Sequence, residues 1–320
     1  MKTILVLGAG RSSSSLIAYL LRQAERYQWN IVVADASLEN AREKTGDHKN
    51  AVPVAFDIQQ SAHASHIAAA DIVISLLPPP FHPLVASHCL RYEKHLLTAS
   101  YVSDEMKAFD AEARAKDLIF LNECGLDPGI DHMMAHDLVA QYRASPAYDA
   151  GNVLSFFSYC GGIPKIPNAF RYKFSWSPLG VLKALRSPSR SIRDFSELRV
   201  QRPWDAITSY IAPLPVPETF EVYPNRDSIP FREEYRFDPA WKVKDFVRGT
   251  IRLNGWAEAW APVFREIETL SGPDGEERLK EMSDRFWRDN SYSGPDDPDR
   301  VVLFVVLKAE KNGRPVFHRT

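Results

Sequence analysis

Cysteine is scarce. Cys89, Cys124 and Cys160 are three in 320 residues, odd in number and widely spaced, which excludes a disulfide framework and a thiolate zinc site and fits reduced thiols. No apolar run is long enough to cross a bilayer. The N-terminus reads as a strand and a turn, with none of the charged and apolar regions of a cleavable leader, so the expected location is the cytoplasm. Neither sign of charge dominates: 39 Lys+Arg against 41 Asp+Glu leave a net charge of −2, which argues against nucleic acid or an acidic membrane as a bulk partner. Repeats and low-complexity tracts are absent. What remains is a globular composition, 45% hydrophobic and 25% charged, long enough for two domains with cores of their own.

The first domain announces itself at once. Thr3–Leu7 is an apolar strand running into Gly8-Ala9-Gly10, and a helix-like stretch follows from Ser12 to Leu21. This is the first turn of a dinucleotide-binding fold: the glycines allow a tight turn and close approach of a pyrophosphate, and the helix N-terminus offers N–H groups to that anion. The customary third glycine is Ser13. Ile31–Ala34 is a second buried strand ending in Asp35, whose carboxylate suits the ribose hydroxyls of NAD and repels the 2′-phosphate of NADP. Further short apolar runs at Val52–Phe56, Asp71–Leu77, His95–Thr98 and Leu118–Asn122 alternate with helix-period segments near 37–45, 60–69, 83–91 and 103–116. The pattern predicts an α/β fold with a doubly wound, Rossmann-type nucleotide-binding domain over residues 1–125.

The alternation stops near Ala144-Ser145-Pro146, and six of the seven Trp lie after residue 170. Strand character appears at Asn152–Cys160, Phe220–Tyr223, Val247–Leu253 and Val301–Lys308. Helix patterns appear at Leu179–Arg186, Ala257–Leu270 and Glu276–Arg288, and turns at Ser271–Gly275 and Ser293–Pro298. Residues 126–320 therefore read as a second, α+β domain, an open antiparallel sheet with helices on one side. The basic stretch Arg186–Arg202 reads as a solvated loop.

Chemistry concentrates after the predicted strands, where loops line the ligand crevice of a doubly wound sheet. Ser75-Leu76-Leu77-Pro-Pro-Pro80 follows the fourth strand as a rigid loop, either against the nicotinamide ribose or a plain turn. Thr98-Ala-Ser100-Tyr101 follows the fifth and places hydroxyls beside the nicotinamide, with Tyr101 able to bond a substrate amine or carboxylate. In Asn122-Glu-Cys-Gly-Leu-Asp-Pro-Gly-Ile-Asp-His132, Asp127-Pro128 reads as a helix N-cap with proline at the first helical position. Gly125 and Gly129 flank it, as a closely approached backbone requires. His132 and His136 share a helix face, but no Glu stands between them, so no metal is expected. In the second half Arg226 and Arg248 stand out, since an Arg fork matches a carboxylate.

Ala99–Met106, Asn122–Met133, Ser158-Tyr-Cys-Gly-Gly162, Tyr172–Pro178, Tyr223–Ser228 and Arg248-Gly-Thr250 together resemble saccharopine dehydrogenase of the glutamate-forming type, in the right order over residues 1 to about 255. The resemblance implies an NAD(P)-dependent, homodimeric oxidoreductase of lysine metabolism, with residues 126–320 as the substrate-binding and dimerisation domain. It implies conversion of saccharopine, with NAD(P)⁺ and water, to L-glutamate and 2-aminoadipate semialdehyde. Cofactor contacts implied by it are Gly8, Gly10, Arg11, Ser12, Asp35, Asp57, Ser75, Leu76, Leu77 and Ser100. Substrate contacts are Ser100, Tyr101, Leu126, Asp127, Arg226, Arg248 and Thr250, and acid–base or orienting groups are Tyr101, Asp127 and Cys160. Departures are Ser13, Asp35, which tilts the expected cofactor to NAD with NADP possible, and the segment after residue 255, which matches the family pattern poorly. Family members also continue beyond the strand corresponding to Val301–Lys308, with a final segment that returns to the nucleotide domain. Two other readings stay open: a carboxynorspermidine dehydrogenase-like polyamine enzyme, to which paired arginines are less suited, and a nucleotide-binding regulatory protein without catalysis.

Overall fold

The computed structural model describes residues 1–320 except Ser271, Pro273 and Pro295, and except the side chains of Arg11 and Ser61. Parts of both predicted proline turns thus lie outside the described residues. The chain divides into two compact units, Met1–Ile130 and Asp131–Thr320.

Unit 1 runs β1 (Lys2–Leu7), α1 (Ser14–Tyr27), β2 (Trp29–Asp35), α2 (Leu38–Thr45), β3 (Ala51–Ala55), α3 (Ala64–Ala69), β4 (Ile72–Ser75), α4 (His82–Tyr92), β5 (His95–Thr98), α5 (Asp104–Ala108), α6 (Asp110–Ala115) and β6 (Phe120–Leu121). Its six strands pair in the order β3-β2-β1-β4-β5-β6, all parallel. That is the doubly wound order in which the strand sequence reverses beside β1, and ligands bind outside the carboxyl ends at that point. The composition of β1 explains its central place. Ile4, Leu5, Val6 and Leu7 are buried in succession, with Leu5 and Leu7 in one apolar cluster and Ile4 and Val6 in another, as a strand covered on both faces requires. Helix α1 buries Ile17, Leu20, Leu21 and Ala24, one face at helical spacing. The helix expected over 103–116 is broken at Phe109 into α5 and α6.

Unit 2 runs α7 (from Ile130 to Ala144), β7 (Val153–Pro164), α8 (Pro178–Leu185), β8 (Ser189–Arg193), β9 (Ser196–Val200), β10 (Thr208–Ala212), β11 (Glu218–Pro224), α9 (Phe231–Glu234), β12 (Lys242–Leu253), α10 (Trp256–Glu268), α11 (Gly275–Asn290), β13 (Asp299–Lys311) and β14 (Arg314–Arg319). The main path is β10-β11-β12-β7-β13-β14, with β8 pairing β12 and β9. Two expectations are corrected here. The sheet is mixed rather than antiparallel, because β7 and β12 run parallel in the middle of it. The basic stretch is a hairpin, β8–β9, rather than a loop: Arg190 and Arg199 both pair with Glu197, and Ser189 and Ser191 are buried.

Packing shows that this sheet curls. Tyr210 of β10 stacks on Phe304 of β13 with ring centroids 5.3 Å apart, and meets Tyr159 of β7 at 5.4 Å. In a flat sheet, strands four places apart would be roughly 19 Å apart at ~4.8 Å per step. One face is therefore concave and fills itself with Phe157, Tyr159, Phe220, Val222, Val247, Ile251 and Phe304. The opposite face packs against Ala135, Leu138, Val139 and Tyr142 of α7. A separate aromatic cluster joins α8, α10 and α11 around Trp256 and Trp260. Because Phe304 is buried at the focus of the curl, Phe304→Ala should cost about 3–5 kcal/mol. Urea denaturation measures it, and an unchanged midpoint would show that the concave face is not a packed core.

Candidate active site

The turn after β1 is held from three sides. Gly8 has φ +103°, and a Cβ there would stand 3.1 Å from the Leu76 carbonyl oxygen, so both backbone shape and space require glycine. Ala9 donates its N–H to Asp35 Oδ2 at 2.7 Å, and Asp35 Oδ1 accepts from the Ser37 N–H at 2.9 Å and from Asn40 Nδ2 at 3.3 Å. Ser13, where a third glycine was missing, is fully buried and donates its hydroxyl to the Gly10 carbonyl at 2.6 Å. A small side chain fits, and its hydroxyl closes the turn. A Cβ built on Gly10 meets nothing within 4 Å, which leaves that side of the turn open to a pyrophosphate. These residues fit a dinucleotide.

Other cofactor candidates divide. Ser12 is exposed in the short turn Arg11–Ser13. Leu76 and Leu77 leave β4 toward opposite apolar clusters, Leu76 beside Gly8. Asp57 is engaged in its own loop, accepting from the Gln59 N–H at 3.0 Å and Gln60 Nε2 at 3.2 Å. Arg11's side chain lies outside the described residues.

A residue that sequence reasoning missed joins Ser75, Thr98 and Ser100. His82, at the start of α4 and 2% exposed, has Nδ1 3.0 Å from Ser75 Oγ. Its Nε2 lies 2.8 Å from Ser100 Oγ and 3.0 Å from Thr98 Oγ1. Burial pushes the imidazole below the ordinary histidine value of 6.5 and keeps it neutral. The available signal was slight: a histidine one residue past the proline loop, at the head of a helix whose buried face is otherwise apolar.

Tyr101 and Asp127 do meet: the phenol donates to Asp127 Oδ1 at 2.6 Å. The expected N-cap is corrected, because α7 begins at Ile130 and Asp127 lies in a tight loop before it, with a cis peptide to Pro128. In that loop Gly125 donates to the Pro128 carbonyl at 3.0 Å and Ile130 to the Gly125 carbonyl at 3.0 Å. Gly129, at φ +143°, would place a Cβ 2.2 Å from the Gly125 oxygen, so the close approach inferred for these glycines is to each other. Leu126 is 37% exposed beside Asp127.

In unit 2, Cys160 of β7 and Thr250 of β12 are register partners on adjacent strands, as are Ser158 and Arg248. Arg248 gives an Nη2 N–H to the fully buried Asp131 at 2.7 Å, with its guanidinium carbon 3.9 Å from the Phe231 ring centroid. This charge-assisted pair fixes the orientation of the guanidinium. Arg226, in left-handed backbone at φ +58°, lies in the loop after β11, and its carbonyl accepts from the Arg190 N–H at 2.9 Å. His132 Nδ1 meets the Tyr235 hydroxyl at 2.8 Å. Among the described residues no group of His, Cys, Asp and Glu could hold a metal. Sequence reasoning also missed Arg252, two residues beyond Thr250 on the same strand face, over the rings of Tyr172, Tyr223 and Trp256 at 4.8, 5.6 and 5.3 Å.

The strand order, the glycine turn and the acid ending β2 define a dinucleotide-binding protein of the Rossmann class. Residues 4–121 match the model of the saccharopine dehydrogenase NADP binding domain, and residues 125–320 that of the saccharopine dehydrogenase C-terminal domain. The chain is 34% identical to the saccharopine dehydrogenase [NADP(+), L-glutamate-forming] of Pyricularia oryzae, over 98% of its own length and 69% of that protein's. It is 33% identical to the Saccharomyces cerevisiae enzyme of the same name, over 80% of this chain and 56% of that one. It is 34% identical to the alpha-aminoadipic semialdehyde synthase of Bos taurus, over 81% and 27%. The chain thus spans about a quarter to two thirds of these relatives. The apo structure of the L-Glu-forming saccharopine dehydrogenase from Saccharomyces cerevisiae superposes with a TM-score of 0.80 at 26% identity, covering 98% of this chain and 83% of that one. The chain belongs to the saccharopine dehydrogenase family. The expected departure after residue 255 is corrected, since the C-terminal family match continues to residue 320. No helix among the described residues is long and apolar enough to cross a membrane.

The buried imidazole makes stability depend on pH. A histidine held below its unfolded value binds fewer protons folded than unfolded, so stability is complete above about 6.5 and is lost as pH falls toward the folded pKa. His88, His136 and His318 shift the same way, also from burial first. The urea midpoint should fall between about pH 7 and pH 5, less steeply in His82→Gln. Equal slopes would mean that His82 titrates freely in the fold.

Proposed function

We propose that this chain interconverts saccharopine with L-glutamate and 2-aminoadipate semialdehyde, using a nicotinamide dinucleotide. The observation that carries the reading is the Tyr101–Asp127 hydrogen bond, formed by loops after β5 and β6 at the ligand end of the parallel sheet. The names of the relatives supply the substrate.

The dinucleotide, when bound, supplies a hydride acceptor or donor. Gly8, Gly10 and the first turn of α1 would hold its pyrophosphate, and Asp35 its ribose. The protein's own task is with protons. A secondary amine must be neutral before its neighbouring carbon gives up hydride. The Tyr101 O–H points at Asp127, so as the phenol oxygen takes the substrate's amine proton Asp127 can take the phenol proton in turn. Hydride loss leaves an iminium; water adds to its C=N bond and gives one proton to solvent, the same pair returns the amine proton to nitrogen, and the carbon–nitrogen bond breaks as the carbinol O–H proton passes to the departing amine. Saccharopine carries three carboxylates, for which Arg226 and Arg248 are the proposed cations, with Arg248 oriented beforehand by Asp131. Ser100, Leu126 and Thr250 complete the proposed substrate contacts, and Cys160, the register partner of Thr250, is the third proposed acid–base or orienting group. Paired arginines favour this substrate over a polyamine.

The cofactor reading departs from the relatives' names. The two saccharopine dehydrogenases carry NADP(+) in theirs, whereas Asp35 puts a carboxylate at the end of β2 where a 2′-phosphate would have to approach it. We infer a preference for NAD.

Absorbance at the nicotinamide band, with saccharopine and each dinucleotide, tests substrate and cofactor together, and glutamate should appear in step with the reduced dinucleotide. No reduction with either would refute the reaction. Asp35→Ser should move the kcat/KM ratio toward NADP by about tenfold, ~1.4 kcal/mol. An unmoved ratio would show that Asp35 only fastens the turn. Arg226 is exposed here, and the pair it would form with a substrate carboxylate is closed over only on binding, so Arg226→Ala should raise the KM for saccharopine about tenfold or more. An unchanged KM would remove its role.

A further inference from the structure

His82 is buried, polar and expensive to place. It gathers three hydroxyls that come from the carboxyl ends of two neighbouring strands: Ser75 ends β4, Thr98 ends β5, and Ser100 begins the loop that follows. Apolar side chains would pack that space without desolvating a ring and three hydroxyls. The opposite end of β4 shows a cheaper fastening, where Asp71 accepts the Thr3 N–H at 2.7 Å at the protein surface.

Connections beyond the ring lead in one direction. The Ser100 N–H donates to Thr98 Oγ1 at 3.2 Å, and the Ser100 carbonyl accepts the Glu123 N–H at 3.1 Å. Cys124 donates its N–H to the Thr98 carbonyl at 3.1 Å, and Val102 donates to Glu123 Oε1 at 3.0 Å. Residues 98–102 are thus clamped between His82 on one side and the segment leading to Asp127 on the other. Tyr101 is inside the clamp.

We propose that His82 is a positioning residue of the hydride-transfer site: its Nε2 orients the Ser100 hydroxyl and fixes the loop that delivers Tyr101 to Asp127. The proposal rests on the reaction assigned above. A neutral imidazole has one donor and one acceptor nitrogen, and the hydroxyls at its two ends can serve either. Burial keeps it in that neutral form. The Nε2 end faces Ser100 and Thr98, and the Nδ1 end faces Ser75. The two ends can therefore be separated by substitution.

Glutamine carries its amide at the reach of Nε2, and asparagine at the reach of Nδ1. His82→Ala and His82→Asn should each lower kcat with saccharopine at least about tenfold while changing the dinucleotide KM less than about threefold, and His82→Gln should recover most of the loss. A residue needed only for folding would give three variants that lose melting temperature alike and keep kcat, and that result overturns the proposal. The second arm needs no turnover. With ¹⁵N-labelled histidine in the intact protein, His82 should show one neutral tautomer at neutral pH, and Ser100→Ala should shift the Nε2 resonance and leave Nδ1 in place. A tautomer mixture like that of free imidazole, or an Nε2 indifferent to Ser100→Ala, overturns it. If the wild-type chain does not oxidise saccharopine, the reaction reading fails by itself, and this arm still decides whether the ring holds Ser100.

Discussion

The Asp35 carboxylate, accepting the Ala9 N–H at 2.7 Å, is the contact on which the cofactor end of the structure depends. A parallel sheet delivers every loop that matters to one end, but its ladder stops there, and the backbone beyond it needs other partners. Side chains provide them here in sequence across the sheet. Asp35 ties the turn after β1 to the end of β2. His82 ties the ends of β4 and β5. Glu123 and the Tyr101–Asp127 pair tie the loop after β5 to that after β6. Each fastening uses a titratable or polar group where an apolar one would be cheaper, and each lies at the end of the sheet where ligands of such sheets bind.

Unit 2 follows the same logic with charge. The Asp131 carboxylate is fully buried and the Arg248 side chain is 10% exposed, so neither would be stable there without the other. The pair, with Phe231 beneath the guanidinium, fixes an arginine that would otherwise have many rotamers. Thr250 and Arg252 share its face of β12, and the curl of the sheet packs the residues between them into the concave core. Arg252, boxed by aromatic rings and donating to the Ile251 carbonyl, shows that a cation on this strand can also serve packing.

The nucleotide-binding unit was legible because its signals are local. Consecutive apolar residues in β1 and β2, glycines after β1 and helix-period segments between strands state the fold without tertiary information. Ser13 was not legible, since only the turn shows its hydroxyl on the Gly10 carbonyl. Asp127 was read as a cap because Asp-Pro before an apolar helix is a good local solution, but the Gly125–Gly129 contacts delay the helix to Ile130 and release the carboxylate to Tyr101. His82 was invisible because its partners, though close in sequence, converge only through strand ends. The second unit was read less well. The alternation in Ser189–Arg193 is carried by serines and arginines, so no hydrophobic period marks the hairpin, and the parallel pairing of β7 with β12 joins segments nearly ninety residues apart.

In the proposed reaction a carbon of saccharopine and the nicotinamide exchange hydride without an intermediary at this end of the sheet. Saccharopine deuterated at the carbon between the bridging nitrogen and the aldehyde-forming chain, followed by mass spectrometry of the dinucleotide after turnover, measures that transfer. Deuterium should appear in the reduced nicotinamide, with a slower initial rate than with unlabelled substrate. Reduced dinucleotide without the label, or glutamate released with no dinucleotide reduced, would contradict it.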